Sequence, residues 1–319
     1  MTRRRHWASL GERTSSAGIR LLLFVHRVFG RMPFTVVLGP VLLFYWLSSP
    51  ALRRASLTWL TRVEETAGCF GRKPGTREGL THLMRFGETI LDKFLAASGK
   101  LGLDAVRRDG DAPFRADPPD RGAVILTSHS GCQELLSVSA GEATEHPIVI
   151  LQHTKHAREF NALLERAGLS PLRADIVEVS AITPGTAMML ADRIAQGAYV
   201  VIAGDRVPIG SDQATAEAVF FGRKADFPTG GALLALLFHC PLRMMVSTRD
   251  GRVNGEPRYR VHFASLDESP SASRRERAKW LADMAQRYAS ELERELTRSP
   301  YDWFNFYDFW KDADAEKTL

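Results

Sequence analysis

Cysteine is scarce in this chain: Cys69, Cys132 and Cys240 are widely spaced and odd in number. That argues against a disulfide framework, fits a reducing compartment, and leaves no cysteine pair with metal-ligand spacing. Internal repeats and low-complexity tracts are lacking as well. No continuous apolar run reaches the roughly 20 residues that a membrane-spanning helix needs. No small-residue cleavage site follows the apolar N-terminal stretch, so a cleaved signal peptide is not expected. Lysine is absent from the first 62 residues, and Glu12 is the only acid among them.

What those 62 residues do contain is ten arginines, giving them a charge of +9 and leaving −4 for the rest of a chain whose net charge is +5. A basic segment can meet nucleic acid, but no nucleic-acid-binding motif is present. The same segment is the most apolar part of the chain, which favours a membrane surface. Ile19–Phe29 is apolar with basic residues spaced through it, as in a helix lying on anionic lipid. Phe34–Leu47 is a fourteen-residue uncharged run interrupted at Gly39-Pro40 and flanked by Arg27, Arg31, Arg53 and Arg54. That pattern predicts an interfacial or re-entrant hairpin with both ends cytoplasmic, or a helical hairpin packed on the rest of the protein.

Beyond residue 99, short apolar runs alternate with helical periodicity. Strands are expected over 122–127, 147–152, 175–180, 198–203, 242–248 and 258–264. Helices are expected over 132–140, 156–167, 185–196, 229–239 and 273–297, preceded by 53–67 and 77–98, with a Pro/Asp-rich turn over 109–120. This alternation implies an α/β fold with a mainly parallel sheet covered by helices on both faces. Residues 1–99 then form a basic, helical, membrane-associated layer, and residues 100–319 a catalytic domain.

The chemistry concentrates after the first of these strands, in Ser128-His129-Ser-Gly-Cys-Gln-Glu134. A histidine at the C-terminal end of a strand stands where open α/β sheets bind their ligands. With His129 in the loop and Glu134 in the first helical turns, the carboxylate can fix the tautomer of the imidazole, leaving a general base. Ser130 and Gly131 suit a helix start whose N–H groups could hold an anion. Gly204, Asp205 and Arg206 end another strand, and Arg206 offers a planar donor fork to phosphate or carboxylate. Arg223 and Lys224 could meet a phosphate or an acidic carrier protein. Pro228 suits a first helical turn, and Gly230-Gly231 permit close approach of a chain or backbone. His153 and His156, with Glu134, have spacing that could serve a metal but leave a third ligand unassigned. Cys132 is a candidate nucleophile or a buried thiol. The segment Tyr301–Trp310 has seven aromatics in ten residues, with Asp302, Asn305 and Asp308 recurring every third position. It is expected to pack on the domain by its aromatic face or to touch the membrane interface.

Taken in order, these blocks resemble a known family. Ser128-His129-x4-Glu134, Ala203-Gly-Asp-Arg206, Phe220-Phe-Gly222 with Phe227-Pro-Thr-Gly230, and Pro241 are similar to the lysophospholipid acyltransferase superfamily. Within it they resemble the bacterial lipid A biosynthesis, lauroyl-type branch. His6–Glu12, Phe29-Gly-Arg31 and Trp303-Phe-Asn-Phe306 resemble a subgroup often linked to glycosyltransferases. The resemblance runs nearly end to end and implies a glycerol-3-phosphate acyltransferase-like fold. It implies transfer of a fatty acyl group from an acyl carrier protein or coenzyme A thioester to a hydroxyl of a lipid or glycolipid. The setting implied is the cytoplasmic face of a bacterial inner membrane. His129 would take the acceptor proton, Glu134 would orient it, and Arg206 would bind a phosphate-bearing group. No metal or other cofactor is implied, because a thioester is already an activated donor. Asp205-Arg206 stands where lipid A enzymes commonly show Asp-Gln, so an aryl-polyene-type or other glycolipid acceptor stands beside a lipid A precursor. An acyl hydrolase using the same cleft, or a non-catalytic lipid- or carrier-binding membrane protein, are the competing classes.

Overall fold

The computed structural model describes residues 24–110, 118, 120–135, 146–152, 175–179, 182–207 and 214–310. After helical residues 24–29 come α1 (Arg31–Ser48), α2 (Pro50–Ala67) and α3 (Thr76–Ala97). The strands of the main sheet are β1 (Val106–Gly110), β2 (Ala123–Thr127), β3 (Ile148–Gln152), β4 (Asp175–Glu178), β5 (Tyr199–Ala203), β8 (Leu242–Val253) and β9 (Glu256–Asp267). Helices α4 (Pro184–Ala195), α5 (Gly230–Phe238) and α6 (Arg277–Arg298) follow β4, precede β8 and follow β9. A separate antiparallel hairpin joins β6 (Thr215–Phe220) to β7 (Arg223–Pro228).

The sheet order is β1-β9-β8-β2-β5-β3-β4. Every pairing in it is parallel except β8 with β9, a hairpin closed by Asn254-Gly255. Both turn residues have positive φ, as a two-residue hairpin loop that matches strand twist requires. β2, β3, β4 and β5 lie within one or two residues of where the sequence places them, β8 and β9 run longer, to residue 253 and from 256 to 267, and β1 is a surprise. Its sequence, Val-Arg-Arg-Asp-Gly, is polar because it is an edge strand, half of whose backbone faces no partner. The β6–β7 hairpin is likewise missed by the helical reading of Pro228, which instead ends β7 opposite Thr215.

Alternation along the strands divides the core. Val124 and Leu126 face a large cluster with Leu190 and Ile194 of α4, Ala232 and Ala235 of α5, Tyr288 and Leu292 of α6, and Trp59, Leu60 and Val63 of α2. Ala123 and Ile125 face the other way, onto Tyr199, Met245, Val261 and Phe263. Near this second face, the end of α3 gathers Ala96 with Cys132, Leu135 and Tyr259. The expected helix over 156–167, and 136–140 of the expected helix over 132–140, lie outside the described residues.

The N-terminal hairpin turns at Ser49-Pro50 and not at Gly39-Pro40. α1 continues through Pro40, because packing against α3 offsets the loss of the hydrogen bond that proline cannot donate. Phe34, Leu38, Leu42 and Trp46 form a cluster with Leu83 and Leu91. Trp46 lies so close over Gly79 that a Cβ there would meet its ring at 2.1 Å. The opposite face of α1 is bare: Met32, Val36, Phe44 and Leu47 are each at least 65% exposed. Among the described residues, α1 is the one helix long and apolar enough to cross a bilayer by length and composition.

His82 on α3 ties this layer to the C-terminal segment. Its Nε2–H donates to the carbonyl of Trp303 at 2.8 Å, so Nδ1 accepts from Ser56 Oγ at 2.9 Å. Burial lowers its pKa to about 4. The unfolded chain therefore binds a proton that the folded one refuses. Stability is expected to fall, by up to about 3 kcal/mol, as pH drops from about 6.5 towards 4. Melting temperatures across this range, for the native chain and for His82→Gln, test it. The slope should flatten in the variant, and an unchanged slope would assign the loss elsewhere.

Candidate active site

The parallel register of β2 and β5 sets Thr127 opposite Ala203. Two residues further along each strand stand His129 and Asp205, so neighbouring strands deliver an imidazole and a carboxylate to one spot at the C-terminal edge of the sheet. His129 Nδ1 is 2.7 Å from Asp205 Oδ1, and the backbone N–H of His129 donates to Asp205 Oδ2 at 2.8 Å. Trp303 Nε1 and Asn305 Nδ2 donate to the same Oδ2, each at 3.0 Å. Asp205 is fully buried. Burial alone would push its pKa up, but His129 and Arg206 outweigh that and bring it down to about 2. It is therefore ionised at neutral pH. Nδ1 must then carry the proton, which leaves Nε2 with a free lone pair. Burial, together with Arg206 and Lys93, lowers the His129 pKa against the opposing pull of Asp205. The imidazole is neutral at pH 7 and 27% of its surface stays open.

This corrects the sequence-based pairing of His129 with Glu134. Glu134 Oε1 accepts from Lys93 Nζ at 3.3 Å, and Cys132 Sγ approaches its other oxygen at 3.8 Å. Cys132 is buried with its thiol pKa pushed well up by burial and by Glu134, so it is not a thiolate nucleophile.

Ser130 and Gly131 are structural and do not present an anion site. Ser130 Oγ donates to Ser247 O at 2.9 Å, and Gly131 N–H donates to Asp302 O at 3.0 Å. Gly131 has φ +48, and a Cβ there would lie 2.4 Å from Ser247 O, so no side chain fits. Gly204 makes room for Tyr288, whose ring would meet a Cβ at 2.9 Å. Tyr288 OH in turn donates to Thr127 O at 2.7 Å, closing the end of β2. Of Gly230-Gly231, only Gly231 is in close contact, beneath Leu126 and Ile202. Arg206 does join the site: Nε donates to Asn305 Oδ1 at 2.6 Å and Nη2 to Phe304 O at 3.0 Å. Arg223 and Lys224 are exposed on the β6–β7 hairpin, with Lys224 paired to Glu217 at 2.6 Å. His153 and His156 lie outside the described residues.

The C-terminal segment is what sequence reasoning undervalued. Two of its three polar positions do not face outward: Asp302 and Asn305 are buried, and Asp308 is exposed. Phe304 N–H donates to His129 O at 2.9 Å, and Ser130 bridges Trp303, so the segment is stitched alongside the histidine loop. Its aromatics anchor it, Trp303 lying 4.6 Å from Trp59 between ring centroids.

No family model matches this chain, and no curated protein matches it. Among solved structures it is similar to the 1-acyl-sn-glycerophosphate (LPA) acyltransferase PlsC from Thermotoga maritima. The identity is 14% and the TM-score 0.33, over 85% of this chain and 93% of that one.

Proposed function

We propose that the chain is a membrane-associated O-acyltransferase. It moves a fatty acyl group from an acyl carrier protein or coenzyme A thioester to a hydroxyl of a lipid or glycolipid. The observation that carries this reading is the neutral imidazole whose Nδ1 is held by buried, ionised Asp205 while Nε2 keeps its lone pair. The motif order read from the sequence supplies the acyl-transfer class. Nε2 takes the proton of the acceptor hydroxyl as its oxygen attacks the thioester carbonyl. The tetrahedral adduct then expels the thiolate, which recovers that proton from Nε2, so the histidine ends as it began. Arg206, close enough to lower the His129 pKa, supplies positive charge beside the developing anion. Residues 1–99 form the membrane-facing layer, 100–319 carry the chemistry, and Arg223 with Lys224 offer a surface to an acidic carrier. The setting is the cytoplasmic face of a bacterial inner membrane.

The test is incubation of purified protein with a long-chain acyl thioester and lipid acceptors, with products read by mass spectrometry. An acylated acceptor is expected from the native chain and none from His129→Ala. Free fatty acid alone would make the protein a hydrolase, and acceptor binding without turnover would make it a binding protein.

The membrane role makes its own prediction. Val36 and Phe44 are exposed, so Val36→Asp with Phe44→Asp should change folding stability by only about 0.5 kcal/mol. Flotation with neutral vesicles should nonetheless drop sharply, since the bare face of α1 would no longer enter the interface. Undiminished flotation of the folded variant would remove α1 as the membrane contact.

A further inference from the structure

Away from His129, a cavity of about 770 Å³ opens beside α3, lined in part by Arg77, Leu80, Met84, Arg85, Arg249 and Arg252. Its composition is that of a site for an amphiphile: apolar walls from Leu80 and Met84, and four guanidinium groups. Of the carboxylates that balance those guanidiniums, Glu88 belongs to the lining, whereas Asp92 and Asp302 lie beneath it. Glu88 holds Arg249 at 2.5 Å and Arg252 at 2.6 Å, Asp92 takes Arg249 at 2.8 Å, and Asp302 takes Arg85 at 3.1 Å. All three acids are buried, whereas the Arg252 side chain is 39% exposed and Arg77 is exposed. Arg85, Arg249 and Arg252 are thus held by ion pairs, Arg249 with its head buried, while Arg77 and Arg252 present positive charge to the opening. Pre-set guanidinium forks of this kind suit phosphate oxygens.

The second observation is where the cavity lies. A Cβ built on Gly39 of α1 would be 4.0 Å from Met84 Cε, so α1 runs past the cavity wall. On a helix, Met32, Val36 and Leu43 share the stripe that contains Gly39, and all three are exposed. A pocket with exposed arginines and a bare apolar stripe therefore adjoin across Gly39 and Met84.

We propose that this cavity receives the phosphodiester headgroup of an anionic phospholipid of the bilayer against which α1 lies, a docking site separate from the reacting centre at His129. The proposal rests on the membrane reading of α1. Short-chain lipids below their micelle concentration probe the pocket without a bilayer. Dihexanoyl phosphatidylglycerol, titrated calorimetrically, should bind saturably and about tenfold or more tighter than dihexanoyl phosphatidylcholine. Arg77→Ala combined with Arg252→Ala should erase that preference while His129-dependent turnover in detergent is retained. Should the double variant fail to fold, Arg77→Glu, an exposed single change, should erase it in its place. An undiminished preference in the folded variants would overturn the proposal, as would equally tight binding of glycerol phosphate, which would make the site one for a soluble phosphate. Flotation on neutral vesicles reports on α1 alone. Failure of the native chain to float, with headgroup binding intact, would sink the membrane reading, and flotation of the native chain without headgroup preference would sink only the pocket.

Discussion

Asp205→Asn is expected to yield a folded protein whose turnover is lower by about two to four powers of ten. Three donors, the His129 backbone N–H, Trp303 Nε1 and Asn305 Nδ2, converge on Asp205 Oδ2. An asparagine best satisfies them by placing its oxygen there, which turns its NH₂ towards His129 Nδ1. Nδ1 must then accept, the proton moves to Nε2, and the atom needed as base is blocked. The charge change leaves a second mark. Asp205 raises the His129 pKa against burial, Arg206 and Lys93. Without it the acid limb of kcat/KM, already expected below pH 6.5 in the native chain, should move to lower pH. A merely structural residue would lower activity without moving that limb. Glu134→Gln leaves the Nδ1 bond in place, so its loss should be smaller than that of Asp205→Asn. Native-like turnover in a folded Asp205→Asn protein, or a greater loss in Glu134→Gln, would return the orienting role to Glu134.

Trp59→Ala should be the most damaging single change to stability. Trp59 is 1% exposed and meets Phe221 at 4.9 Å and Trp303 at 4.6 Å between ring centroids. Its Nε1–H also donates to Pro300 O at 2.7 Å. Truncation removes the aromatic surface, leaves a cavity and orphans a carbonyl, for about 3–5 kcal/mol. The midpoint of urea unfolding measures this. Because Trp59 sits under Trp303, which donates to Asp205, activity should fall before global unfolding. A shift below about 1 kcal/mol would mean that the C-terminal segment is anchored by other contacts.

Much of this was legible in the chain itself. Apolar runs bounded by turn residues mark buried strands, and they matched β2, β3 and β5 closely because a central strand covered on both faces needs continuous apolar sequence, while the exposed ends of the β8–β9 hairpin ran on past the apolar pattern. His129 at a strand end was legible for the same reason. The polar edge strand β1 was not, since an edge needs no apolar pattern. The α1 helix ran through Gly39-Pro40 because its contacts with α3 outweigh a local breaking signal that sequence reading weighs alone.

By itself the sequence determined the α/β class, the basic and apolar character of the first 62 residues, and the placing of a histidine at a strand end, on which the proposed chemistry rests. Only the tertiary structure decided which carboxylate serves that histidine. Glu134 is five residues away along the chain and Asp205 seventy-six, yet the register of two parallel strands sets Asp205 beside it. Strand register is fixed by packing across the whole sheet and by the Trp303–Asn305 segment that caps Asp205. Neither leaves a local trace in the residues around His129.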